Sequence, residues 1–236
     1  MGFYKNVIRF TSDATALEKI LRLFQSLCQI LAAYAISADD ATPWLLLRAQ
    51  FALGRRYFRF FRFLDCFSKA HDCFRHVDGV RGVLAVGKWT CLGGYMFLES
   101  VTILDAMGYW PTPQASTCLL EGNKFWFYSL VFSILWGVVQ YVDASNESYK
   151  VGVKEIDEKA SRETSSDLEA EANLAFELER TAQFRKLKSQ MVIDGFDIFS
   201  PGFITGWIRT SASFVGFSSV VSTVLSPKEI WDRLKE

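Results

Sequence analysis

Proline is scarce in this sequence, five residues in 236. Half of the chain is hydrophobic and 15% aromatic. Together these exclude a disordered chain and favour a helix-rich one, packed or membrane-embedded. Cysteine is equally scarce. Cys28, Cys66, Cys73, Cys91 and Cys118 form no CxxC pair and are odd in number. They read as reduced, buried thiols in a cytosol-facing or membrane setting. The start, MGFYKN, lacks a long apolar stretch, so no cleaved signal peptide is expected. Gly2 invites N-myristoylation, but Asn6 stands where that motif wants Ser or Thr. The last residues, WDRLKE, match neither an organelle-import tripeptide nor an endoplasmic-reticulum retention signal.

Signatures of bond-making chemistry are missing as well. No glycine-rich phosphate loop follows a strand, no GxSxG elbow occurs, and no carboxylates are set as a catalytic pair. His71, Cys73 and His76, with Asp72 and Asp78, have the residue types of a metal site. Five residues on a helix separate the histidines by about 140°, so they do not converge. No catalytic residue, cofactor or metal is therefore expected, and a membrane-bound enzyme is retained only as a residual reading. Formal net charge is zero, so bulk charge steers nothing. Its distribution is uneven: residues 1–88 hold 13 Lys/Arg against 7 Asp/Glu, and residues 143–202 hold 8 against 13.

What is present reads as helix. Thr15-Ala-Leu-Glu18 has the form of a capping box, followed by Leu17, Ile20, Leu21, Phe24, Cys28 and Leu31 at helical spacing. A polar break, Ser37–Pro43, precedes a second helix expected over about 44–78. Residues 82–107 are mostly apolar but contain Lys88 and Glu99. Residues 125–142, FWFYSLVFSILWGVVQYV, form 18 residues without a formal charge. As helix they span about 27 Å, near the hydrocarbon thickness of a bilayer. Trp126 and Tyr141 lie where an interfacial aromatic belt would place them. Residues 144–166 read as a linker. Ser166 is expected to cap a further helix to about Met191, and residues 203–225 form a second long apolar segment with Arg209 as its one charge.

The expected architecture is thus all-α, a helical membrane protein with N-terminal amphipathic helices and two membrane-embedded helices, or three if 82–107 counts. Four regions follow: a basic part over 1–81, apolar helices over 82–142, a charged linker and helix over 143–202, and a C-terminal membrane helix and tail over 203–236. Ser129, Ser133 and Gly137 have small-xxx-small spacing, and Gly202 and Gly206 repeat it once, so both sets are candidate helix-packing positions. Lys88 and Glu99 fall on one side of a helix and are candidate pore-facing residues. The competing reading of 82–107 is a helix lying partly in the interface, with no pore.

The stretch ALGRRYFRFFRFLDCF, Ala52–Phe67, mixes arginine with aromatic residues. On a continuous helix Arg48, Arg55, Arg59, Arg62 and Lys69 cluster within about 40° of one line. Leu53, Tyr57, Phe60, Phe61, Leu64 and Phe67 gather opposite, with Arg56 and Phe58 on the flanks. A bilayer interface accepts both residue types: arginine meets anionic phospholipid headgroups while the aromatics enter the acyl boundary. Candidate membrane-binding residues are therefore Arg55, Arg56, Arg59 and Arg62 for phosphates, and Tyr57, Phe60, Phe61, Leu64 and Phe67 for insertion. The alternative is a surface helix packing its aromatics onto the protein. A nucleic-acid surface is disfavoured by zero net charge and the neighbouring apolar spans.

These residues resemble the peroxin 11 family of peroxisomal biogenesis factors. Leu17-Glu18-Lys19 with Arg22 and Gln25 is similar to that family's "REKxLRxxQ"-type start. Arg55, Arg56, Arg59, Arg62, Phe63, Leu64 and Lys69 are similar to its basic amphipathic helix. The sequence departs from the family pattern at Phe60-Phe61, at Asp39-Asp40 and in the acidic segment after Asp143. The resemblance covers the length and order of parts. It implies a peroxisomal membrane protein with its N-terminal region in the cytosol, acting in organelle elongation and division. It also implies homo-oligomers, fission-machinery partners, and as an alternative a channel for small metabolites.

Overall fold

Asp13 starts the first long helix. Its carboxylate accepts from the Ala16 N–H at 2.9 Å, capping α2 (Ala14–Ala33) behind the shorter α1 (Gly2–Ser12). The cap is thus Asp13 and not Thr15. Thr15 lies inside the helix, and Glu18 turns to a tertiary partner instead of back to the cap. The computed structural model describes residues 2–159 and 167–226, and among them every regular element is a helix.

Ser37 caps α3 (Ala38–Phe58) by accepting from the Asp40 N–H at 3.1 Å. The break expected over 37–43 is therefore shorter, and Pro43 sits inside the helix. The single helix expected over about 44–78 is two helices, α3 and α4 (Arg62–His76). Glycine and proline are absent from the break at 59–61, but aromatic residues are weak helix formers. The freed carbonyl of Phe60 finds a donor in the Ser100 hydroxyl, 2.7 Å away, so the interruption leaves that buried-side group satisfied.

Gly79, at φ 68°, opens α5 (Gly79–Val101), which is followed by the single turn α6 (Ile103–Ala106). Next is α7 (Ala115–Lys159), 45 residues long. It contains the expected apolar run and continues as helix through 144–159, where a linker was expected. That stretch has no proline and is rich in Glu and Lys, which propagate helix well. Ser166, the expected cap, lies outside the described residues. The next helix, α8 (Asp167–Asp197), runs past Met191.

The C-terminal apolar segment is not one helix. The short α9 (Phe199–Thr205) ends at Gly206, whose φ of 75° is left-handed. Then α10 (Ala212–Leu225) has 14 residues, too few to cross a hydrocarbon core of about 30 Å unaided. Among the described residues one helix is long and apolar enough to cross a membrane, over 115–145.

Pairwise packing closes these helices into a ring. α3 packs on α2, α2 on α10, α10 on α8, α8 on α7, α7 on α5 and α5 on α4, and the chain itself joins α4 back to α3. Small residues allow the close approaches. A Cβ on Gly137 of α7 would lie 2.7 Å from Met191 Cγ of α8, and one on Gly216 of α10 would lie 2.7 Å from Ile30 Cγ1 of α2. A compact apolar cluster of Cys66, Tyr95 and Met96, backed by Phe63, Trp89, Leu92 and Trp126, joins α4, α5 and α7.

Candidate functional site: buried charge inside, an aromatic edge outside

The interior of the ring holds ion pairs that tie distant helices together. Glu18 of α2 accepts from Arg55 Nε of α3 at 2.7 Å. Arg55 Nη1 also donates to Gln25 Oε1 at 2.7 Å. Arg59, in the α3–α4 turn, reaches Glu99 of α5, with Nη2 2.8 Å from Oε2. Arg56 approaches the same carboxylate at 3.5 Å, and the Tyr95 hydroxyl donates to it at 3.2 Å. Arg22 of α2 and Asp197 of α8 form a two-pronged pair, Nη1 donating to Oδ2 at 3.0 Å. Asp194 of α8 accepts from Ser133 of α7 at 2.5 Å and from Gln190 at 2.7 Å.

Charge and burial compete in this cluster. Burial works to raise the Glu18 carboxyl, but the guanidiniums of Arg55 and Arg59 and the ammonium of Lys19 hold it well below the usual carboxylate range. Asp197 behaves alike: burial opposes, and the Arg22 charge and hydrogen bonds lower it. For Asp194 burial wins and the carboxyl is raised. Lys19 is pushed down to about 8 by burial and by the neighbouring Arg22.

Outside, the α3–α4 turn presents an apolar edge. Tyr57, Phe58, Phe61, Leu64 and Phe67 are all exposed, Phe61 to 66% and Leu64 to 59%. The Phe60 and Phe61 rings meet edge to face, with centroids 4.6 Å apart. Arg62, at the start of α4, is exposed beside them.

The order of parts, basic helices followed by apolar ones, is matched over residues 4–231 by the family of peroxisomal biogenesis factor 11 (PEX11). The chain belongs to that family. No curated protein and no solved structure matches it. PEX11 proteins serve peroxisome biogenesis and proliferation, which places this chain at the peroxisome, in a family of biogenesis factors.

Within this PEX11 chain the arginines expected to face lipid are divided by the fold. Arg55 and Arg59 are buried, 9% and 8% exposed, and bonded to carboxylates. Arg56 is half-buried. Only Arg62 of the four stands outward, because the break after Phe58 turns α4 away from the line that α3 would have continued. Of the apolar set, Tyr57, Phe61, Leu64 and Phe67 are exposed and Phe60 is half-buried. Phe67 also lies against α5, where a Cβ on Gly93 would come within 2.8 Å of its ring.

Ser129 and Ser133 are buried, and Ser133 and Gly137 of α7 lie against α8. Gly202 and Gly206 serve a local turn instead of a helix contact. The Ile208 N–H donates to the Gly202 carbonyl at 2.9 Å, and Gly206 ends α9 with no atom near its missing Cβ. Glu99 is held by Arg59, while the Lys88 ammonium lies 5.3 Å from the rings of both Trp89 and Trp136. The two candidate pore residues are therefore engaged by different partners. Sequence reasoning missed Glu18, Arg22, Asp194 and Asp197 as a group. The available signal was spacing: Glu18 and Arg22 are four apart and Asp194 and Asp197 three apart, each pair on one face of its helix.

Proposed function

We propose that this PEX11-family chain remodels the peroxisomal membrane, promoting elongation and division by inserting the aromatic edge of the α3–α4 turn into the cytosolic leaflet. One observation carries the reading: large apolar side chains at 57, 58, 61, 64 and 67 are exposed together beside the outward Arg62. Water does not reward such an edge, whereas an interface does. Each inserted side chain contributes about 1.5–3 kcal/mol before ordering costs. A basic residue near an anionic leaflet adds about 1 kcal/mol. Insertion into one leaflet expands it relative to the other and bends the membrane.

The rest of the molecule supports an apolar surrounding. A set of paired charges, Glu18, Arg22, Arg55, Arg59, Glu99 and Asp197, is buried, while large apolar side chains such as Leu46, Phe74 and Phe217 are exposed. The basic excess over 1–88 favours a cytosolic placement of that part. Self-association and recruitment of fission proteins complete the proposed activity. The metabolite-channel alternative is less well supported, since Glu99 is neutralised by Arg59 and the Lys88 ammonium lies against the Trp89 and Trp136 rings.

Full-length protein in vesicles containing anionic phospholipid is expected to draw tubules. The double substitution Phe61→Glu, Leu64→Glu should lower tubule yield more than about tenfold, the loss expected from two inserted side chains, with unchanged helix content by circular dichroism. Wild-type yield from that variant would sink the insertion.

A further inference from the structure

The helices leave a pocket between them that is open to one side. This half-open cavity of about 560 Å³ lies between α2, α3, α5, α7 and α8, with Arg62 of α4 also lining it, within the size range of small-molecule sites. Seven Lys/Arg side chains line it against three carboxylates. Those carboxylates are largely committed: Glu18 to Arg55, Asp197 to Arg22, and Asp194 to Ser133 and Gln190. Glu99, behind Arg59, is a fourth anion and is likewise occupied.

Positive charge is left over. Among the described residues Lys19, Lys88 and Lys186 form no ion pair. The Arg59 Nε–H is buried without a hydrogen-bond acceptor, the Glu18 carboxylate being 3.9 Å away. Buried polar groups without partners are rare and costly. The remaining walls are apolar and aromatic: Trp89, Trp126 and Trp136, with Leu92, Met96 and Leu130. Arg62 and Lys186, both exposed, place cationic side chains at its open side, a funnel for anions.

We propose that this cavity binds a phosphate monoester carrying an apolar or planar body, its phosphate among Lys19, Lys88 and Arg59 and its body against Trp89, Trp126 and Trp136. A monocarboxylate would neutralise one of the surplus cations. A phosphate monoester brings about two charges and three acceptor oxygens, which suits several cations converging on one space. Trp126 stacks on Tyr95, and Trp89 and Trp136 flank the Lys88 ammonium, so the ligand's body lies against the remaining tryptophan surface, which makes the site distinct from a free ion site. The site shares Arg59 and Arg62 with the 57–67 segment but none of the exposed apolar side chains Tyr57, Phe58, Phe61, Leu64 and Phe67 lines it, so it is tested independently of whether that edge inserts.

Tryptophan fluorescence of the full chain in neutral detergent tests it, because three of the seven tryptophans line the cavity. Two probes are used: short-chain phosphatidic acid as the lipid source and adenosine monophosphate as the soluble one, with short-chain phosphatidylcholine as control. A saturable change with either monoester, absent with phosphatidylcholine, is expected, and the responding probe identifies the source. In Lys19→Met, Lys88→Met the affinity should fall at least about tenfold, while the ligand-free protein keeps its helix content and a cooperative melt, because both lysines are half-buried and neither forms an ion pair. That combination separates a binding role from a structural one. No response beyond the phosphatidylcholine control, or undiminished affinity in the double variant, overturns the proposal.

Discussion

Lys19 sits one position along α2 from Glu18 and faces the cationic cavity. Its depressed pKa has a definite thermodynamic sign. The unfolded chain holds the lysine proton up to the ordinary value of 10.5, and the folded chain releases it near 8. Between these values the unfolded state binds more protons, so stability rises with pH. Melting temperature is expected to climb from pH 8 towards 10.5 more steeply in the wild type than in Lys19→Met; equal slopes would exclude Lys19 as the source. Glu18 and Asp197 act in the opposite window. Their lowered values contribute stability above the ordinary carboxylate range, and this is lost only as pH falls through the depressed folded values. By contrast the exposed Asp65–Lys69 pair at 2.9 Å contributes within about 1 kcal/mol, as surface pairs do.

At the scale of elements, close helix contact is made by small residues at a few points. Gly216 is the clearest. A Cβ there would lie 2.7 Å from Ile30 Cγ1 and 3.3 Å from the Ser26 carbonyl oxygen. The backbone oxygen cannot step aside as a side chain can. Gly216→Leu should therefore push α10 off α2 and cost about 1–3 kcal/mol, read as a lower melting temperature by circular dichroism. Gly195→Ala in α8 is the matching control. No atom lies within 4 Å of its Cβ position, and alanine is the better helix former by up to about 1 kcal/mol. That variant should melt at the same temperature or higher. The small-xxx-small stripe on α7 was legible as a contact face because spacing alone puts three small residues on one side. Its partner, α8, was not, since no spacing names the helix that will meet it.

At the scale of the whole molecule, the ion pairs that join distant helices are buried, while large apolar side chains such as Leu46, Phe74 and Phe217 are exposed. Its family places it at the peroxisome. Overproduction of a tagged copy in cells with a fluorescent peroxisomal matrix marker is expected to put the tag on the marker's rim and to yield longer or more numerous organelles. Rim placement with normal organelles would separate residence from remodelling and remove support for the wedge. The same view of the molecule explains why the α3–α4 break was hidden. The sequence from 52 to 67 has no breaker at 59–61, and a continuous helix satisfies its own periodicity. The break is stabilised from outside the segment, by Glu99 holding Arg59 and by Ser100 meeting the Phe60 carbonyl.

By itself the sequence determined helical class, the apolar run of α7, the scarcity of catalytic groups and the likeness to PEX11. These follow from composition, local periodicity and motif, which are properties of neighbouring residues. Only the tertiary structure decided which arginines face inward, where the long basic-aromatic segment divides and that seven Lys/Arg side chains line one cavity. Each of these depends on residues far apart in the chain: Arg22 with Asp197, Arg55 with Glu18, Arg59 with Glu99. A charge on an amphipathic face has the same local pattern whether lipid phosphate or a buried carboxylate awaits it. The choice between them is set by desolvation and pairing, which exist only once the helices have met.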